Sequence, residues 1–217
     1  MNSSRAQLAP VGEADKHLGK QAEKSRKTQK KIVDAAMALI DEGGFSAASS
    51  TRIARQANLS WGVVQHHFGD KRGILLAVLE RCSKDYVAFM SDIPTLKGGR
   101  ARRTRHYVER CWAFYCGKEY KIALEIAFAM RYQDNRFASP DALQPQQKDL
   151  IALWHSAFPD SSLDDETLTH LIRHTYIVLT GLVIDLMLEG EAHNADAQLD
   201  ILCTTLESKL WKSVTAK

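Results

Sequence analysis

Residues 49–70 read SSTRIARQANLSWGVVQHHFGD, and this stretch leaves the backbone few options. Ser49 or Ser50 can cap a short helix by accepting from the free N–H groups of its first turn. That helix, STRIARQA, runs into Asn58. Asparagine is one of the few non-glycine residues that visits positive φ readily, as a tight turn needs. Ser60 then caps a second helix, WGVVQHHF, which Gly69 and Asp70 break. Asp70 caps a longer helix running from about Lys71 to Met90. Helix, sharp turn, helix is the helix-turn-helix arrangement. The residue sizes agree: small Ala54 sits where the first helix meets the second, and Ile53, Leu59 and Val64 are the apolar anchors of the crossing.

Once those anchors are buried, the second helix shows solvent Trp61, Gly62, Val63, Gln65 and His66. A helix of this size fits the DNA major groove with its N-terminal half toward base edges. Gln65 can bridge adenine, Val63 can touch a thymine methyl, and Trp61 can pack on a sugar or methyl. His66 and His67 are adjacent, so they lie about 100° apart around a helix and cannot readily share one metal. Phosphate contact suits them better, and packing of His67 against Phe68 stands beside that reading. Lys71 adds charge at a helix N-terminus, which itself favours anions.

Upstream, KKIVDAAMALIDEGGF places Ile32, Ala35, Ala36, Leu39 and Ile40 on one helical stripe, ended by Gly43-Gly44. Residues 1–25 carry no apolar periodicity and are expected to form a flexible basic arm. Residues 1–80 hold twelve Lys/Arg against eight Asp/Glu, whereas 81–217 hold seventeen against eighteen. Between 16 and 31 there are seven Lys/Arg and only Glu23 of opposite sign. A basic front end on a neutral body fits a polyanion partner; a solvated tail fits equally.

Downstream, five further segments carry helical apolar spacing: RRTRHYVERCWAFYC, EYKIALEIAFAMRYQ, QQKDLIALWHSAF, DETLTHLIRHTYIVLTGLVIDLMLEG and DAQLDILCTTLESKLW. No alternating strand pattern is found, so the expected class is all-α: a small front domain over 26–72 and a helical body over 73–217. No run of eighteen apolar residues exists and the N-terminus lacks an apolar core, so neither a membrane span nor a signal peptide is expected. Cys82, Cys111, Cys116 and Cys203 lack CxxC spacing and read as free thiols of a reducing cytoplasm.

The front domain resembles the DNA-binding domain of TetR-family transcriptional regulators over about residues 32 to 78. The likeness rests on Gly44-Phe45, Ser49, Ile53-Ala54, Ala57-Asn58, Ser60, Gly62, His67-Phe68, Lys71 and Leu75-Leu76. Two positions depart from the family pattern: Asn58 stands where the turn glycine is usual, and Gln65 where a tyrosine is. With HHFGDKRGILL following, the segment is similar to the choline-responsive betaine-pathway repressor branch. By resemblance, DNA contacts fall on Ser49, Ser50, Thr51, Trp61, Gly62, Val63, Gln65, His66, His67 and Lys71. The basic arm could add backbone or minor-groove contacts.

The resemblance also implies a C-terminal domain that forms a homodimer and holds a small-molecule effector. IVLTGLVIDLMLEG and DAQLDILCTTLESKLW would supply the dimer interface; an ordinary monomer core would use the same residues. Effector-pocket candidates are Trp112, Tyr115, Phe128, Met130, Trp154, His155 and Tyr176, large or polar residues on apolar helices. Trp112, Tyr115 and Trp154 could box a quaternary ammonium. Glu166, His170 and His174, each four apart, line one helical face and offer an alternative, metal-responsive reading. The run DDE at 164–166 also suits a plain helix N-terminus. No GxSxG, HExxH, P-loop or dinucleotide fingerprint is present, so an all-α enzyme is the weakest class and no cofactor is expected.

Overall fold

The computed structural model describes residues 11–91, 98–131, 147–190 and 194–211, with side chains described from residue 19. Among these residues the regular elements are all helices: α1 (Val11–Ala47), α2 (Ser50–Gln56), α3 (Trp61–Phe68), α4 (Lys71–Ser91), α5 (Arg100–Tyr115), α6 (Lys118–Met130), α7 (Gln147–Ala157), α8 (Asp165–Glu189) and α9 (Ala195–Leu210).

α1 begins at Val11, inside the 1–25 segment expected to be an arm; residues 1–10 lie outside the described ones. Polar residues 19–31 are largely exposed, and burial starts at Ile32, where the apolar stripe starts. The backbone leaves helical geometry at Gly43 (φ −144°, ψ 18°) and Gly44 (φ 70°, ψ 178°). Gly44 sits where an L side chain would be strained, so glycine is what allows the chain to turn there.

Two cores result. The first joins α1–α4 through fully buried Ile32, Ala36, Ile53, Val64, Ile74 and Val78. It also takes in Ile122, Ala123, Ile126 and Met130 of α6. The second is built by α5–α9 with the C-terminal half of α4, around Val108, Cys111, Trp154, Phe158, Leu179 and Leu206. α4 gives Cys82 to the first core and Tyr86 and Met90 to the second. The domain boundary expected at 72/73 therefore falls near the start of a helix that crosses between both cores.

α8 is capped as its sequence demands. The Asp164 carboxylate accepts the Thr167 N–H at 2.7 Å, and Gly190 closes the helix at φ 79°. That hydrogen bond holds the Asp164 carboxyl below its ordinary range. By length and composition α8 is apolar enough to cross a membrane, although it holds no continuous run of eighteen apolar residues; only 28% of its most apolar stretch is buried. Its buried residues pack in the second core. Ile177 (56% exposed) and Leu188 (78%), with Ile201 (58%) on α9, are left facing out.

Candidate nucleic-acid interface and effector cavity

α2 and α3 are set by two serine caps and one turn. The Ser49 and Ser60 hydroxyls accept from Arg52 N–H and Val63 N–H, each at 3.4 Å. Asn58 carries φ 50° between the helices, at the position where glycine would be usual. Ile53 and Val64 are wholly buried, Ala54 nearly so, and Leu59 is partly buried.

With those anchors inward, Thr51, Gly62, Val63, Gln65 and His66 are exposed, and Ser49, Ser50, His67 and Lys71 are half-buried. Trp61 departs from the fully outward placement expected of it: it is half-buried and packs against the first core. The His66 and His67 rings meet edge to face with centroids 5.3 Å apart. Arg52 and Arg55 are exposed on α2. They add basic charge to the helix ahead of α3.

Lys71 is held in place. Its Nζ stands 4.2 Å from the centroid of the Phe45 ring, a cation–π contact. Asp70 caps α4 by accepting the Gly73 N–H at 2.9 Å. Partial burial lowers the Lys71 pKa from its ordinary 10.5. Phe45 is in turn tied to the other domain, because its backbone N–H donates to Glu125 Oε2 of α6 at 2.8 Å.

An aromatic-lined pocket, partly open to solvent, lies among α4–α8. Of the residues expected to line a pocket, Tyr115, Trp154 and Tyr176 do so. The others do not. Trp112 packs on the outside of the second core, and Phe128 is 44% exposed. Met130 is buried in the first core. His155 is exposed, with Nε2 3.1 Å from Asp165 Oδ1. The proposed box of Trp112, Tyr115 and Trp154 is thus corrected, because Trp112 points elsewhere. Tyr86, Tyr107, Phe114 and Tyr120 complete the aromatic wall, with Ser83, Thr175 and Cys82. These had no linear signal beyond being aromatics on apolar helices.

Among the described residues no charged side chain lines the cavity. Tyr115 and Tyr120 stack at 4.1 Å, and Tyr107 meets Trp154 edge-on at 5.0 Å. Tyr120 Oη lies 2.6 Å from Thr180 Oγ1. Burial pushes the phenols of Tyr86, Tyr107 and Tyr115 well up, so they stay neutral. Tyr120 and Ala123 line this cavity, while Ile122, Ala123 and Ile126 of the same helix sit in the first core.

The metal-responsive alternative is corrected. Glu166, His170 and His174 are all exposed, and among the described residues no three His, Cys, Asp or Glu are grouped to hold a metal ion. The acidic run serves the helix start instead.

Comparisons with known proteins follow this division. Residues 32–78 match the family model for bacterial regulatory proteins of the tetR family. The HTH-type transcriptional regulator BetI of Burkholderia thailandensis is 41% identical over 54 residues, covering 25% of this chain and 28% of the relative. BetI of Burkholderia ambifaria (strain MC40-6) is 26% identical over 132 residues, 61% of this chain and 56% of the relative. The chain thus aligns with between about a quarter and a little over half of the length of these curated relatives. Among solved structures, the multidrug binding protein EbrR complexed with imidazole gives a TM-score of 0.61 at 17% identity, covering 87% of this chain and 93% of that one. A transcriptional regulator from Rhodococcus sp. Rha1 gives 0.62 at 18% identity, covering 83% and 96%. At such identities these structures speak for the fold alone. Over residues 32–78 this chain is therefore similar in sequence to bacterial regulatory proteins of the tetR family, and its described helices share the fold of these solved structures.

Proposed function

We propose that the protein is a ligand-responsive transcriptional repressor that binds a near-palindromic operator as a homodimer in the cytoplasm. The observation that carries the DNA reading is α3 itself: Val64 locks it to the core while Gly62, Val63, Gln65 and His66 stand exposed. In this reading Gln65 and Val63 face base edges. Ser49, Ser50, Thr51, His66, His67 and Lys71 bind phosphate, and Trp61 stacks against the sugar edge from its half-buried seat. Lysines before residue 32 add to the electrostatic footprint.

The outward apolar residues Ile177, Leu188 and Ile201 support pairing of α8 and α9 with a second copy. Two-fold pairing sets two recognition helices one DNA turn apart. The aromatic cavity suits a small effector that is neutral, or whose charge is satisfied by π faces, because the described lining residues are aromatic, aliphatic or neutral polar. Effector binding favours a dimer geometry with a different spacing of the two α3 helices, and DNA affinity falls. Linkage requires that DNA weaken the effector by the same factor.

Val63→Glu tests this reading. It places a carboxylate on the exposed face without touching the core. Duplex binding by fluorescence anisotropy should be lost while the melting temperature holds. Unchanged DNA binding by this variant would refute α3 as the reading helix.

A further inference from the structure

The contact between Phe45 and Glu125 joins residues eighty positions apart, and it lies between the effector cavity and the DNA-facing end of α4. Three observations converge on it. Glu125 sits on α6 between Leu124, which is buried in the second core, and Ile126, which is buried in the first. Its Oε2 accepts the Phe45 N–H at 2.8 Å, at the point where the chain leaves the Gly43–Gly44 break. The same oxygen would lie 3.5 Å from a Cβ at Gly44, so it packs closely on that turn. Phe45 then offers its ring face to Lys71 Nζ at 4.2 Å.

A carboxylate accepting a backbone N–H makes a charge-assisted bond, stronger than a neutral one. It fixes the backbone of Phe45, and through it the ring on which the Lys71 ammonium rests. A lysine has four rotatable bonds, so a seat of this kind decides how much of its freedom is spent before a phosphate arrives. We infer that Glu125 is a positioning residue: it sets Lys71 for phosphate contact and links α6, whose Tyr120 and Ala123 line the cavity, to that contact. The inference rests on the DNA-binding reading of Lys71 given above.

The test is a double-mutant cycle in the full-length protein. Affinity for a selected duplex is measured at fixed salt, and melting temperature without DNA serves as the folding control. Glu125→Ala should weaken binding about three- to tenfold, the size of coupling between contacting residues. Glu125→Gln, which keeps an acceptor oxygen, should restore binding to near the wild-type level. In a Lys71→Ala background Glu125→Ala should cost nothing further. Phe45→Leu keeps the apolar volume but removes the ring face. It should weaken binding to a similar degree, and it carries the test if Glu125→Ala melts below the assay temperature.

An equal loss from Glu125→Ala with and without Lys71 would overturn the link, as would unchanged affinity in both Glu125→Ala and Phe45→Leu. If Lys71→Ala alone leaves affinity and its salt dependence untouched, the DNA reading of Lys71 fails and the link falls with it.

Discussion

Removing the Lys71 ammonium should change the salt dependence of DNA binding more tellingly than its strength at any one salt concentration. Each neutralised phosphate contributes about 0.9 to the slope of log affinity against log salt on duplex DNA. A two-fold dimer uses Lys71 twice, so Lys71→Ala should flatten the slope by about 1.8. Between 50 and 200 mM salt that is roughly a twelvefold change in the ratio of wild-type to mutant affinity, the variant being relatively less impaired at high salt. The structure favours a clean readout. Lys71 is half-buried over Phe45 at 4.2 Å and takes part in no ion pair found among the described residues. Its loss should therefore leave melting nearly unchanged. The assay is anisotropy of a labelled operator duplex across a salt series. A slope identical to wild type would show that Lys71 touches no phosphate.

Three further outcomes follow from the same geometry. Ile53→Ala removes a fully buried anchor of the α2–α3 crossing and should cost about 2–5 kcal/mol in denaturant unfolding; a cost under half a kcal/mol would mean that the crossing does not depend on it. Leu188→Asp with Ile201→Asp puts charge on the outward faces of α8 and α9 and should convert dimer to monomer in sedimentation equilibrium with helicity unchanged; a persisting dimer would locate the interface elsewhere. Burial pushes the Cys82 and Cys111 thiols from an ordinary 9.0 up to about 12. The unfolded thiols ionise near pH 9 while the folded ones resist, so this contribution to stability is present below pH 9 and lost as pH rises toward 12. Melting that is flat across that window would contradict their buried, neutral state.

Some parts of the molecule were legible in sequence because their determinants are local. Ser49, Asn58, Ser60 and Asp70 each act on backbone within three residues, so the caps and the turn could be read one at a time. Gly43–Gly44 ended the first helix for the same reason. The helix from Val11 to Lys31 was not legible. It has no apolar stripe, and what continues it is the buried face that begins at Ile32. The cavity was only partly legible. Being large and aromatic on an apolar helix does not tell Tyr115, which lines it, from Trp112, which packs outside, because rotation of α5 against α4 and α8 decides. Trp61 shows the same limit on a smaller scale: its position on α3 is local, but its burial is set by neighbouring helices. The Glu125–Phe45 contact, eighty residues apart, had no linear trace.

The most direct measurement is selection of binding sites from a random duplex pool by the purified protein at two salt concentrations, with Gln65→Ala alongside. The account predicts a near-palindrome with half-sites about one helical turn apart, affinity that falls steeply with salt, and an altered motif for Gln65→Ala. Salt-sensitive binding with no enriched sequence would contradict it, leaving only the basic N-terminal segment at work and no reading helix.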